Sequence, residues 1–309
     1  MGADSLSSEE IQFRDAVRGF VAKEITPNAT RWDMEERYPQ ELFRKLGDLG
    51  WLGTSFPEEV GGDGGGSLLY ALLCAELARG SAAIALGLYV HSALACAAIF
   101  HLGDEDQKLQ RLPDALAGKR IGCWGYAEAG AGADISCVAT RAVKSGDDYV
   151  INGAKLYITN SPFADFMIVV ASTAPDLGLK GMSLFIVDRD TKGVSVSAPF
   201  KKLGMGASEM AEVVFDDARV SASNLLGPEN LGFLQALKVL TLGRIASAAF
   251  GVGLGQAALQ EAISYSNARL QAGKPISRHQ FIRFTLADMA TKLEAAWRLT
   301  LHAARLADG

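Results

Sequence analysis

The spacing of apolar residues changes character twice along these 309 residues, and that change limits the folds open to the chain. From Ser7 to roughly Leu116 the period is helical. After the capping-box-like Ser7-Ser-Glu-Glu10, the residues Ile11, Phe13, Val17, Phe20 and Val21 form one stripe. Pro39 opens a second helix through Leu46 to Leu49; Ser67 and Asp104 are expected to cap later ones, with Gln107 in the reciprocal position. The middle third is short and β-prone: Ser136 to Val143, Tyr149 to Ile151, Phe166 to Ala171, Ser183 to Val187 and Ala211 to Phe215. Gly146-Asp-Asp148, Asn152-Gly153 and Asp176 to Gly181 separate these runs with the residues hairpins require. The helical period returns from Gly232 through Asn267 and, after the Gly273-Lys-Pro275 break, from about Ser277 to Leu306.

The expected class is therefore α+β multidomain. An N-terminal all-α domain occupies residues 1–120, a middle antiparallel, barrel-like β-domain 121–228, and a C-terminal helical domain 229–309. Helix bundles close their cores with about four helices, so two long helices leave the C-terminal bundle incomplete. We expect a truncated fragment of a longer fold.

With 49% hydrophobic residues the chain can build a substantial core, and 30 basic against 35 acidic residues give no electrostatic footprint for nucleic acid. The start Met1-Gly-Ala-Asp-Ser lacks a basic and apolar leader, so a cytoplasmic location is expected. Cys74, Cys96, Cys123 and Cys137 have no paired spacing, so neither a metal site nor a disulfide framework is expected, and burial as small hydrophobes is. The apolar run Ala82 to Phe100 contains Ser81's neighbour Ala82, Gly87, His91 and Ser92 and is rich in Ala; it reads as a buried helix, with no membrane span expected. Two glycine-rich runs imitate phosphate loops. Phe56 to Gly66 has no preceding strand and no following Lys-Ser/Thr, so it reads as a connecting loop; Gly251-Val-Gly-Leu-Gly255 sits inside a helix and reads as a close packing face.

Five stretches carry a resemblance over the whole chain. They are Phe56-Pro-Glu-Glu-Val-Gly-Gly62 with Glu76-Leu-Ala-Arg79 and His91; Cys123-Trp-Gly-Tyr-Ala-Glu-Ala-Gly-Ala-Gly-Ala-Asp134; and Asn152-Gly-Ala-Lys-Leu-Tyr-Ile-Thr-Asn160. The fourth joins Lys202-Leu-Gly-Met-Gly-Ala-Ser208 to Val214-Phe-Asp-Asp-Ala-Arg-Val220 and Asn224-Leu-Leu-Gly227, and the fifth is Arg269-Leu-Gln-Ala-Gly-Lys-Pro-Ile276 with His279-Gln280. Together they resemble the acyl-CoA dehydrogenase family of flavoproteins.

The resemblance implies an FAD-dependent oxidoreductase of fatty acid metabolism that abstracts the α-proton of an acyl-CoA thioester and passes the β-hydride to flavin N5. Such chemistry needs a base, donors to the thioester oxygen and a rigidly held flavin. By resemblance Trp124, Tyr126, Ala127, Gly132 and Ala133 line the FAD, while Tyr157 packs on the flavin and Thr159 hydrogen-bonds near N5. Arg269 and Gln280 reach the FAD of a neighbouring subunit, which implies a homo-oligomer, a dimer of dimers. Ala133 and Arg244 contact the acyl-CoA substrate.

Three positions depart from the family pattern. Ala127 and Ala133 each lack a hydroxyl, a loss of about 1 kcal/mol per hydrogen bond, and Ala272 replaces an aromatic. Gly243 stands where some family branches carry the catalytic Glu, so the base is expected beyond Gly309. An electron-transfer flavoprotein is the expected electron acceptor. Two alternatives stay open: oxidase or monooxygenase chemistry on the same fold, and a non-catalytic paralogue.

Overall fold

The computed structural model describes residues 6–309, apart from the side chain of Leu242. The opening stripe folds as α1 (Ser8–Phe20), a π turn (Val21–Ile25) and α2 (Thr26–Met34). At its start the Ser7 hydroxyl accepts from the Glu10 N–H and the Glu10 carboxylate accepts from the Ser7 N–H, the reciprocal cap expected from sequence. Next, α3 (Glu41–Asp48) buries Leu42, Phe43 and Leu46, and α7 (Glu105–Leu116) starts from the Asp104–Gln107 capping box.

One cap differs from expectation. At the start of α4 (Gly66–Gly80) the N–H groups of Ser67 and Leu68 donate to the Asp308 carboxylate, at 2.6 and 3.0 Å. Ser67 lies inside the first turn and donates rather than caps, while the N-cap residue, Gly65, has no side chain to offer.

The apolar run forms α5 (Ala82–Tyr89), a π turn (Val90–Cys96) and α6 (Ala97–Leu102). It is long and apolar enough to cross a membrane, but 78% of its most apolar window is buried inside the protein, as a core helix would be.

The eight strands of the main sheet are β1 (Gly122–Gly125), β2 (Arg141–Ser145), β3 (Asp148–Thr159), β4 (Phe166–Ser172), β5 (Met182–Asp188), β6 (Val194–Val196), β7 (Met210–Ser221) and β8 (Leu225–Leu226). Their order is β6-β7-β3-β2-β4-β5-β8, with β1 added beside β4. Pairing is antiparallel except at β4, which meets β1 and β2 in parallel. Asn152-Gly153 does not turn the chain as expected. It lies inside β3 at a register shift against β7, where the Asn152 amide pairs with Asp217 and Gly153 takes φ 144° directly against Thr140. The expected strand from Ser136 begins instead as a 3-10 turn, Ile135–Cys137, because the Asp134 carboxylate accepts from the Ser136 N–H.

The chain gathers into two compact units. One comprises the segment up to Thr30, Gly65–Ala85 and Arg244–Gly309; the other comprises Arg31–Gly64 and Leu86–Gly243.

In the first unit, α1 and α4 join the greater part of α8 (Gly232–Ala268) and α9 (Gln280–Asp308). The last two helices are linked by the hairpin of β9 (Leu270–Gln271) and β10 (Lys274–Pro275), turned by Ala272 and Gly273 at positive φ. A side chain at Gly253 would collide with the Ala75 carbonyl, and one at Gly255 with the Leu293 side chain, so this glycine run is the helix-packing face expected. The buried Glu76 accepts from Arg18 Nη2 at 2.5 Å and Nε at 3.1 Å.

In the second unit the core lies along β4, buried at all seven positions, and β5, with Phe166, Phe185, Tyr149 and Phe215 filling it. The π turn covers β1: the Gly122 N–H donates to His91 Nδ1 at 2.9 Å, and Ala95 leaves no room for a side chain at Gly122. Cys74, Cys96 and Cys123 are buried as expected, whereas Cys137, in the 3-10 turn, is exposed.

Candidate functional site

β1 carries Trp124 into the core, and two residues later Tyr126 lies on the same side of the extended chain, its ring stacked on the indole at 6.0 Å and 29°. Trp124 Nε1 is buried with no hydrogen-bond partner among the described residues. Beyond it, Glu128 and Ala131 exchange both backbone hydrogen bonds, 3.0 and 3.1 Å, forming a tight turn. Gly132 and Ala133 follow on the surface, and an ideal Cβ on Gly130 or Gly132 would meet nothing within 4 Å, so this backbone faces open space.

The second stretch arrives on β3. Its register against β7 shifts between Lys155 and Ile158, and within that bulge Tyr157 adopts φ 58°. A left-handed conformation at a non-glycine residue costs on the order of 1–3 kcal/mol and persists only where the surroundings fix it. The bulge turns the Tyr157 ring outward, 61% exposed, with Phe200 at 5.4 Å. Thr159 is buried, and its hydroxyl has no hydrogen-bond partner among the described residues.

Two connections join these stretches. The Leu156 N–H, freed from the ladder by the bulge, donates to the Ala127 carbonyl at 2.9 Å. Beside it, fully buried Lys155 donates to Glu128 at 2.6 Å, with the Tyr126 carbonyl at 3.4 Å. Glu128 also accepts from the N–H groups of Ala139, 2.7 Å, and Thr140, 3.1 Å. Burial pushes the Lys155 ammonium down to about 8, against the pull of Glu128. Burial alone would raise the Glu128 carboxyl, but the ammonium and the N–H donors hold it below its ordinary value.

Seven expected site residues, Trp124, Tyr126, Ala127, Gly132, Ala133, Tyr157 and Thr159, thus fall in one unit on two connected stretches. The other three lie in the helical unit. Arg244 is exposed on α8 and lines a groove of about 600 Å3 with Ile245, Ala248, Leu293 and Leu299. Arg269 and Gln280 are both exposed and flank the β9–β10 hairpin, where the Arg269 carbonyl accepts from the Ile276 N–H at 2.9 Å. At Gly243, in the other unit, a Cβ would stand 2.8 Å from Tyr89 Oη and 3.3 Å from Leu94 Cδ2.

Glu128 and Lys155 lie within the motifs that carry the resemblance, and the linear sequence assigns them no role. A charged residue in a strand ordinarily faces water. The signal was a single lysine directly ahead of the apolar run Leu156-Tyr-Ile158, beside a motif with a single glutamate.

Comparison with known proteins places this geometry in a family. Residues 7–119, 123–218 and 230–309 match the profiles described as acyl-CoA dehydrogenase N-terminal, middle and C-terminal domains. An acyl-CoA dehydrogenase of Bacillus subtilis is 40% identical over 97% of this chain and 79% of its own length. The structure of butyryl-CoA dehydrogenase from Megasphaera elsdenii superposes with a TM-score of 0.94 at 38% identity, covering 97% of this chain and 79% of that one. A glutaryl-CoA dehydrogenase from Mycobacterium smegmatis, solved in complex with FADH2, superposes with a TM-score of 0.93 at 32% identity, covering 98% and 77%. The helical, β and helical order, the two connected motif stretches and these matches have one reading: the chain belongs to the acyl-CoA dehydrogenase family, flavin-dependent oxidoreductases.

Proposed function

We propose that this chain is built for the FAD-dependent introduction of an α,β double bond into an acyl-CoA thioester. The observation that carries the reading is the junction at Ala127 and Leu156, which brings the Trp124–Ala133 stretch against the Tyr157–Thr159 bulge.

The residues present fit a flavin. A buried indole N–H, Trp124 Nε1, has no partner among the described residues, and buried polar groups ordinarily have one. Gly130 and Gly132 leave backbone N–H groups open to close approach, the arrangement that suits a pyrophosphate. Tyr157 presents an exposed aromatic face beside Phe200. FAD, when bound, supplies the hydride acceptor for this chemistry.

The chain's own part is to bind and orient. Trp124 and Tyr126 offer stacked rings and one N–H donor, Thr159 offers a hydroxyl, and Tyr157 shields one face from water. Position 243 supplies no base, since Gly243 has no side chain and Tyr89 and Leu94 crowd the space a Cβ would enter. Arg269 and Gln280, exposed on the helical unit, are free to serve a second subunit's cofactor, and an electron-transfer flavoprotein is the proposed acceptor of the electrons.

The test is the visible spectrum of the purified chain after incubation with FAD and removal of unbound flavin, followed by anaerobic addition of butyryl-CoA. Retained flavin bands are expected, and bleaching by the thioester requires a base that position 243 does not supply. A protein that stays colourless at saturating FAD overturns the reading.

A further inference from the structure

The Lys155–Glu128 pair presents a thermodynamic puzzle. Both side chains are withdrawn from water, and replacing a buried ion pair with well-packed neutral groups is often neutral or stabilising. Stability alone is therefore a poor reason to bury this pair. Its location offers a better one.

Glu128 collects three donors from two separated segments: Lys155 on β3 and the backbone of Ala139 and Thr140 ahead of β2. Residues 129–137 between these anchors form a mostly exposed loop, held otherwise by the Glu128–Ala131 turn and the Asp134 cap. Lys155 in turn is the last residue of β3 in register before the bulge, two positions ahead of the strained Tyr157. A strained conformation survives only where its neighbours over-determine it. The pair, the Lys155 bond to the Tyr126 carbonyl and the adjacent Leu156–Ala127 bond are ties that do so from the Trp124 side.

We propose that Glu128 and Lys155 are positioning residues of the flavin seat, a buried brace that fixes the distance between the Trp124–Ala133 stretch and the Tyr157–Thr159 bulge. This role rests on the FAD reading above. Neither residue needs to touch the cofactor: the brace holds the loop backbone and the Tyr157 ring in their relative places.

The brace makes a prediction that a purely structural ion pair does not. In the neutral double variant Glu128→Gln with Lys155→Met, no buried charge is left unpaired, so the melting temperature stays within a few degrees of the parent. The FAD dissociation constant rises by about tenfold or more, and the visible circular dichroism of flavin bound at saturation changes as its surroundings loosen. FAD binding within about twofold of the parent, in a double variant that melts normally, overturns the proposal.

Glu128→Gln alone gives a second, independent reading. It keeps the size of the side chain and an amide oxygen that can accept from Lys155, while the charged tie is lost. Weakened FAD binding is expected there too. Loss of folding in both variants also overturns the proposal, because the pair would then be a requirement of the fold. Failure of the FAD reading is distinguishable from either result: the parent protein itself would bind no flavin.

Discussion

His91 shows how one side chain can tie two elements at the cost of its own titration. Its Nδ1 accepts from the Gly122 N–H at 2.9 Å, so its Nε2 carries the proton and donates to the Ala115 carbonyl at 3.0 Å. The ring is fully buried, edge-on to Phe43 at 5.4 Å. Burial pushes its pKa down to about 4, against the Ala115 hydrogen bond, and protonation would also set two donors, Nδ1–H and Gly122 N–H, against each other. The sign follows from linkage. The unfolded chain binds this proton near 6.5 and the folded chain only near 4, so the contribution is complete above 6.5 and is lost as pH falls through about 4. Urea unfolding should show about 3 kcal/mol lost between pH 6.5 and pH 4 from this site. A His91→Gln variant should lack that component; an identical pH slope in parent and variant would show that His91 does not titrate with folding. His91 stood in one of the recognised motifs, but nothing in a linear pattern reveals that its backbone partners come from 24 and 31 positions away.

The long helices were legible because their signal is periodic and extended; α8 and α9 end within a few residues of where the apolar pattern places them. Short elements depended on tertiary partners. β1 has four residues and earns its place by pairing in parallel with β4, and Asn152-Gly153 reads as a turn but is held in a strand by Asp217. Glycines inside α8 expose the same divide, because sequence says only that they weaken a helix. The structure separates them. Gly251 faces open space, so Gly251→Ala should stabilise by about 1 kcal/mol from helix propensity. At Gly253 a Cβ would strike the Ala75 carbonyl, a backbone atom of α4 that cannot swing aside, so Gly253→Ala should destabilise by about 1–3 kcal/mol despite the same propensity gain. Paired urea titrations of the two variants check this; shifts of the same sign would mean that α8 and α4 are not in this contact.

At the scale of the molecule, the family order of three segments was legible because each motif sits in a differently patterned stretch, while the partition into compact units was not, since one unit draws on three separate lengths of chain. The helical unit also leaves unusually large apolar side chains on its surface: Phe281 and Leu299 are 78% and 69% exposed, and Tyr265, Phe284 and Leu306 each exceed 60%. Only 35% of the most apolar window of α8 is buried within the chain. Scattered exposed apolar residues are normal, but a set carried by two adjoining helices and an apolar groove of about 600 Å3 is the pattern of an interaction surface. Arg269 and Gln280, the residues whose motif implies service to a neighbouring subunit, are exposed on the same unit. We propose self-association, which would cover this surface and give those two residues a cofactor to meet. Sedimentation velocity over a range of concentrations should therefore show species heavier than the 32.8 kDa chain, and Phe284→Lys with Leu299→Lys should shift them toward the monomer. FAD affinity should rise with protein concentration in the parent and lose that dependence in the double lysine variant. A chain that stays monomeric at every concentration while binding FAD fully would instead confine the flavin seat to the Trp124–Thr159 stretch of a single subunit.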